Sequence, residues 1–339
     1  GEVFTNMRGG ISTRNATRYK GIFDLLLTAN LDHYDLFPGG IVYLYGNQGH
    51  GRGITEEFVG DSLEISNIDF LHTMQVAEFW WEVALFDEFL RVRLGKQDAN
   101  HDFAIVESAG DFINGCYGQH SNIPMPSWPD GAMGAALYFQ LADRWELRTG
   151  VWDGAADGRT WGFSGTGETV SMLEVKTQYD LIDRLPGEFH AGVWYHNGQF
   201  GDLDGSPIHT GNHGVYLGAD QAVFRENGDD GEDDQGLSAF VQYGWSREDR
   251  SEIPHYLGGG LVYKGLIGTR DEDRIGVAVA HAVFSDLLVG RSAETNVELF
   301  YKLQLAPYFS IQPDLQYVAS PSGIYRDAFV AGLRVEVDL

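Results

Sequence analysis

The chain has 339 residues, with 44 glycines, 10 prolines, 13% aromatic residues and a formal net charge of −26. That acidity excludes a nucleic-acid partner, whose phosphates need Lys and Arg, and disfavours simple adsorption to anionic lipid. The single cysteine, Cys116, excludes an internal disulfide, and no apolar run reaches the roughly 18 residues of a spanning helix, so a membrane role requires a β-barrel.

Taken in chain order, alternation of apolar and polar residues predicts strands at 2–9, 19–31, 39–47, 74–85, 88–97, 131–142, 145–153, 169–180, 187–197, 213–224, 236–247, 255–265, 273–284, 293–305, 308–318 and 326–338. These sixteen form an even set, and most have the length that a tilted strand needs to cross a bilayer. The connections sort by length. Phe86-Asp87, Ala142 to Trp145 and Ala306 to Tyr308 are short and fall on the rim that holds the termini. The segments 48–73, 98–130, 154–168 and 198–212 are long and fall on the opposite rim; 225–235 and 266–272 are moderately long exceptions on the short side. Short turns on one rim and long loops on the other are the layout of an outer-membrane barrel. No repeat or composition shift divides the chain, so residues 1–339 are read as one barrel.

The faces agree. One parity carries Phe23, Leu25 and Leu27, Phe79, Trp81 and Val83, Leu137 and Phe139, Phe189 and Val193, Phe329 and Leu333. The other carries Asp24, Glu78, Arg148, His190 and Arg334. Charges on so many mid-strand positions cannot share one dry core. In the stretch "VELFYKLQLAPYFSIQPDLQYV" (297–318), lipid is expected against Leu299 and Phe309, and water against Lys302 and Asp314. The alternative is a soluble all-β carbohydrate-binding or carbohydrate-cleaving protein with its polar face outward, which leaves the loop sorting unexplained. Pro313, in mid-strand, calls for a local bulge.

Catalytic and metal readings fare poorly. His190 and Ser171 have opposite parity, and no GxSxG element is present, so an enzyme is not expected. His190 and His196 share a face but lie roughly 20 Å apart at ~3.3 Å per residue. His209 and His213, near Asp202 and Asp204, are read as solvated loop residues without a closed ligand set, so neither metal nor cofactor is expected. The acidic run "NGDDGEDD" (227–234) is read as a solvated turn.

Several segments resemble the carbohydrate-selective porins of the OprB family: "FWWEVALFDEFLRVRLGKQDANHDFAI" (79–105), "VYLGADQAVFRE" (215–226), "DQGLSAFVQYGWSREDR" (234–250), "YLGGGLVYKGLIGTRDEDRIGVAVAHAVFS" (256–285), "ELFYKLQLAPYFSIQPDLQYVASPSG" (298–323) and "DAFVAGLRVEV" (327–337). The resemblance runs almost end to end in the family's order. It implies a sixteen-stranded antiparallel transmembrane barrel for passive passage of glucose and related sugars through the Gram-negative outer membrane. Lipid and lipopolysaccharide would surround it, and the analogy favours a homotrimer. Leu339 stands where such barrels usually end in an aromatic residue.

By the same resemblance, the long segment 98–130 folds inward as a constriction. Phe103, Ile105, Phe112 and Ile113 would anchor it, beside polar Glu107, Asp111 and Asn114. A sugar presents hydroxyls at its edge and CH groups on its faces, so a selective eyelet wants paired donors and acceptors beside aromatic slabs. Inward parity supplies Glu82, Arg91, Arg93, Gln97, Glu174 and Lys176, with Trp152 and Trp194 as slabs. Asp220 is added from the family motif. The mixed signs suit neutral polyols better than phosphates.

Overall fold

The computed structural model describes residues 1–11, 15–31, 39–69, 74–181, 185–201, 203, 205, 208–226 and 234–339. Period-two alternation becomes sixteen strands: β1 (Glu2–Gly10), β2 (Ala16–Asn30), β3 (Gly40–Gly51), β4 (Met74–Leu85), β5 (Leu90–Gln97), β6 (Ala132–Ala142), β7 (Trp145–Asp153), β8 (Thr169–Asp180), β9 (Pro186–Gly201), β10 (Ile208–Arg225), β11 (Gly236–Ser246), β12 (His255–Lys264), β13 (Arg274–Val283), β14 (Ala293–Ala306), β15 (Phe309–Ala319) and β16 (Arg326–Val337). Each pairs antiparallel with the next, and β1 pairs with β16 from Glu2↔Arg334 to Gly10↔Arg326, so the sheet closes. Closure leaves no unpaired edge, which is the condition for backbone amides to sit in hydrocarbon.

The molecule is inside out relative to a soluble protein. Leu299, Leu315 and Tyr317 are 42–43% exposed, whereas Glu298, Asp314 and Gln316, one position away, are at most 1% exposed. A soluble sandwich would bury the leucines, so that alternative is overturned.

Three expectations need correction. The connection placed at 198–212 is short, because β9 and β10 run on and pair as far as Ile208↔Gly201. His209 and His213 therefore lie on β10 rather than in a loop; Asp202 and Asp204 fall outside the described residues, as does most of the 227–234 run. At Pro313 there is no bulge. The β14–β15 pairing passes from Phe300↔Asp314 to Leu303↔Ile311 with its register intact, and the register shift comes later, between Gln304 and Ala306. A proline removes a donor without adding a residue, so the ladder is interrupted locally and not displaced.

The residues between β5 and β6, 98–131, turn into the barrel and supply its core. Phe112 and Tyr117 pack with Phe240, Tyr256 and Phe300. Phe103 and Ala104 pack with Tyr138, Trp152, Trp194 and Tyr216. Ile113 joins Phe58 and Ile65 of the preceding loop against Phe4 and Val330. Three of the apolar anchors of the sequence, Phe103, Phe112 and Ile113, thus bury themselves on the inner wall, whereas Ile105 stays half-buried.

Candidate functional site

The inward segment is fastened by wall carboxylates that accept its backbone amides. Ala104 N–H donates to Glu174 at 2.8 Å. Glu107 and Ser108 donate to Asp220 at 2.8 and 3.0 Å. Ile113 and Asn114 donate to Glu298 at 2.6 and 2.9 Å. The preceding loop is tied likewise, with Ser62 and Leu63 donating to Glu294 at 2.8 and 2.9 Å. Charge-assisted bonds of this kind are about twice as strong as neutral ones.

Across β4–β8 Glu82, Arg91, Arg93, Glu146, Arg148 and Glu174 form one cross-strand lattice, joined by the Arg91–Glu146 pair at 3.4 Å, and Lys176 forms a separate pair with β9. Glu82 meets Arg91 at 3.2 Å and Arg93 at 2.8 Å; Arg148 meets Glu146 at 3.1 Å and Glu174 at 3.3 Å; Lys176 meets Glu188 at 2.5 Å. Arg93 also grips Asp102 of the inward segment, and Tyr138 donates to the same carboxylate at 2.7 Å. Burial alone would raise the Asp102 carboxyl, but Arg93 and Tyr138 hold it below the usual range.

Most of the predicted residues are therefore covered. Glu82, Arg93, Gln97, Glu174, Trp152 and Trp194 are buried. Trp152 lies flat on the wall, where a Cβ on Gly134 or Gly150 would come within 2.2 Å of its ring. Phe103 covers it at 5.3 Å between centroids. Arg91, Lys176 and Asp220 are half-buried, and Glu107 is exposed. Asp220 borders a cavity of about 360 Å³ toward the short-turn rim, together with Ser108 and Glu188.

The open space runs elsewhere. Four adjoining cavities follow one another on the side of β1–β4 and β16. The first, about 890 Å³, opens among the long loops at Arg52, Glu56, Asp157 and Arg159. It shares Glu64, Pro129 and Asp130 with a second of about 400 Å³. The second shares Glu64, Asn67, Gln119 and Trp128 with a third of about 430 Å³. Asn67 and Trp128 also line the last, about 280 Å³, which reaches Gly1, Val337 and Asp338 at the rim of the termini. Shared lining residues thus link the four cavities in sequence from one rim to the other. Trp128 lines three of the four cavities; its Nε1–H donates to Tyr45 Oη at 2.6 Å, and Tyr45 donates to Asp24 at 2.7 Å. Strand parity could not reveal Trp128, Glu64, Asn67 or Gln119, because loops have no period. The available signal was a tryptophan inside the longest connection, in "SWPDG".

Among the described residues, no group of three or more His, Cys, Asp or Glu side chains could hold a metal ion.

Comparison with known proteins agrees with this architecture. The chain is 23% identical to Porin B of Pseudomonas aeruginosa, over 99% of this chain and 85% of that protein. It is 23% identical to the putative porin QuiX of Acinetobacter baylyi, over 99% of this chain and 87% of that one. Among solved structures, the high-pH form of Pseudomonas putida OprB superposes with a TM-score of 0.89 at 23% identity, covering 99% of this chain and 91% of that one. The low-pH form scores 0.65 at 20% identity, covering 99% and 89%. The family model described as "Carbohydrate-selective porin, OprB family" matches residues 14–339, so this chain belongs to that family, channels of the Gram-negative outer membrane.

Proposed function

We propose that this protein is a passive, substrate-selective diffusion channel for glucose and related sugars, and that residues 1–339 act as one barrel with the segment between β5 and β6 as its constriction. The observation that carries the reading is the run of adjoining polar cavities from rim to rim, with a half-exposed indole at its midpoint. Trp128 offers a flat apolar face to sugar CH groups, while Asn67 and Gln119 offer amide donors and acceptors to hydroxyls. Such contacts orient a sugar without holding it, as conduction requires. Flux runs down a gradient, with no cofactor and no covalent step.

The ten residues selected from the sequence divide in this proposal. Arg91, Glu107, Lys176 and Asp220 contribute to the lumen toward the short-turn rim. Glu82, Arg93, Gln97, Trp152, Glu174 and Trp194 form the frame that sets the position of the constriction. Association into a homotrimer seated in lipid and lipopolysaccharide belongs to the same proposal, supported by the apolar outer wall; the mass of the detergent-solubilised particle tests it.

Liposome swelling with glucose, larger oligosaccharides and amino acids tests the function. Glucose is expected to permeate faster than amino acids of similar size. A correctly folded barrel that admits no sugar would sink the proposal. Trp128→Ala is expected to narrow the glucose-to-amino-acid rate ratio by at least about twofold, a loss of order 0.5 kcal/mol or more, within the range of one aromatic contact.

A further inference from the structure

The sugar reading says nothing about ions, yet the charges in the middle of the passage are one-sided, although bases line both of its ends. The two middle cavities are lined by the carboxylates Glu64, Asp130 and Asp153 and by no Lys or Arg. Glu64 is the single charged side chain lining the third cavity. It is exposed to that space, and the charge acting on it is another carboxylate, Asp69.

A second, independent observation explains where the bases have gone. Arg93, Arg148, Lys176, Arg274 and Lys302 all point inward, but each is ion-paired to an acid of the wall or the inward segment. Wall acids thus neutralise Arg148 and Lys176, and Asp102 and Asp111 of the segment between β5 and β6 help to neutralise Arg93, Arg274 and Lys302. The carboxylate of Glu64 is left facing the water. A narrow passage walled by protein focuses such a field, and the screening length of ~8 Å at physiological salt is comparable to the space that a sugar needs, so salt does not erase it.

We infer that the passage is cation-selective, with the Glu64 carboxylate setting the preference at its midpoint. A cation is drawn through in partly hydrated form and an anion is repelled, as at acidic rings in other pores. This inference rests on the proposed passage but not on which sugar uses it.

The test is the reversal potential of the purified protein in a planar bilayer under an about tenfold KCl gradient at neutral pH. A permeability ratio of K+ to Cl− above one is expected. Glu64→Gln should lower that ratio at least about twofold, and Glu64→Lys should bring it to one or below. Heat-modifiable migration on SDS gels checks that each variant is a folded barrel. A wild-type ratio at or below one, or a ratio unchanged in both variants, would overturn the inference while leaving sugar permeation intact. A folded barrel that carries no current would overturn the passage itself, and the ion preference with it.

Discussion

Asp111 illustrates how single residues hold the lumen. Its carboxylate meets Arg274 at 2.6 Å and Lys302 at 3.0 Å, and its carbonyl accepts from Gln312 at 2.8 Å. Burial alone would raise its pKa, but the two bases hold it below the ordinary carboxylate range. A depressed folded-state pKa contributes stability that is present above the unfolded value and lost as pH falls through the folded one. Strong acid should therefore loosen this end of the inward segment, and Asp111→Asn should do the same at pH 7. The expected signature is noisier single-channel current; wild-type noise in the variant would count against the anchor. Glu64 titrates the other way. Although Glu64 borders open space, desolvation by the protein enclosing that space, and then Asp69, push its carboxyl up, so protonation removes its charge at a pH above that of an ordinary glutamate. Asp69 and, from the segment that ends at β6, Asp130 share its cavities. Cation preference should be full above the raised pKa and decline as pH falls through it, as reversal potentials measured at several pH values would register. His120 is fully buried, and neither ring nitrogen has a partner among the described residues. Burial, with His190 nearby, pushes it down to about 3, so it stays neutral through this range.

At the scale of elements, the inward segment behaves as a plug stapled at discrete points. Glu298→Ala would leave the buried amides of Ile113 and Asn114 without acceptors, at about 1–3 kcal/mol each. Larger conductance and faster amide exchange in this stretch are expected, with the barrel's heat-modifiable migration unchanged. Exchange as slow as in the parent would argue that apolar packing by Phe112 and Ile113 holds the segment unaided. The strands themselves were legible from period two, and β4, β7 and β8 begin and end where alternation places them. What alternation could not carry is the fate of an inward side chain. Trp152 and Trp128 both belong to the lumen. One is sealed under Phe103 and the other borders open space, because the loop's path, fixed by contacts distant in sequence, decides which wall it covers. For the same reason Glu174 and Asp220, picked as sugar ligands, have oxygens engaged by loop amides. The longer β9 and β10 escaped notice because "GQFG" and "HTGN" break alternation near their ends while the backbone continues to pair.

At the scale of the whole molecule, one closed ladder does the work that a buried core does elsewhere. Removing β16 would expose the edges of β1 and β15 together, so a chain lacking 326–337 should show no compact, heat-modifiable band. A compact band from that variant would mean that fifteen strands can close by themselves. The seam between the first and last strands also has a kinetic meaning. Every neighbouring hairpin can zip as soon as both its arms exist, but β1, which ends at Gly10, must wait until the chain has been made and arranged as far as Arg326 before its second partner arrives. Throughout that interval a sticky, half-satisfied border is available to any stray peptide. A nascent chain of this design calls for an escort that occupies the waiting border until the ring is complete.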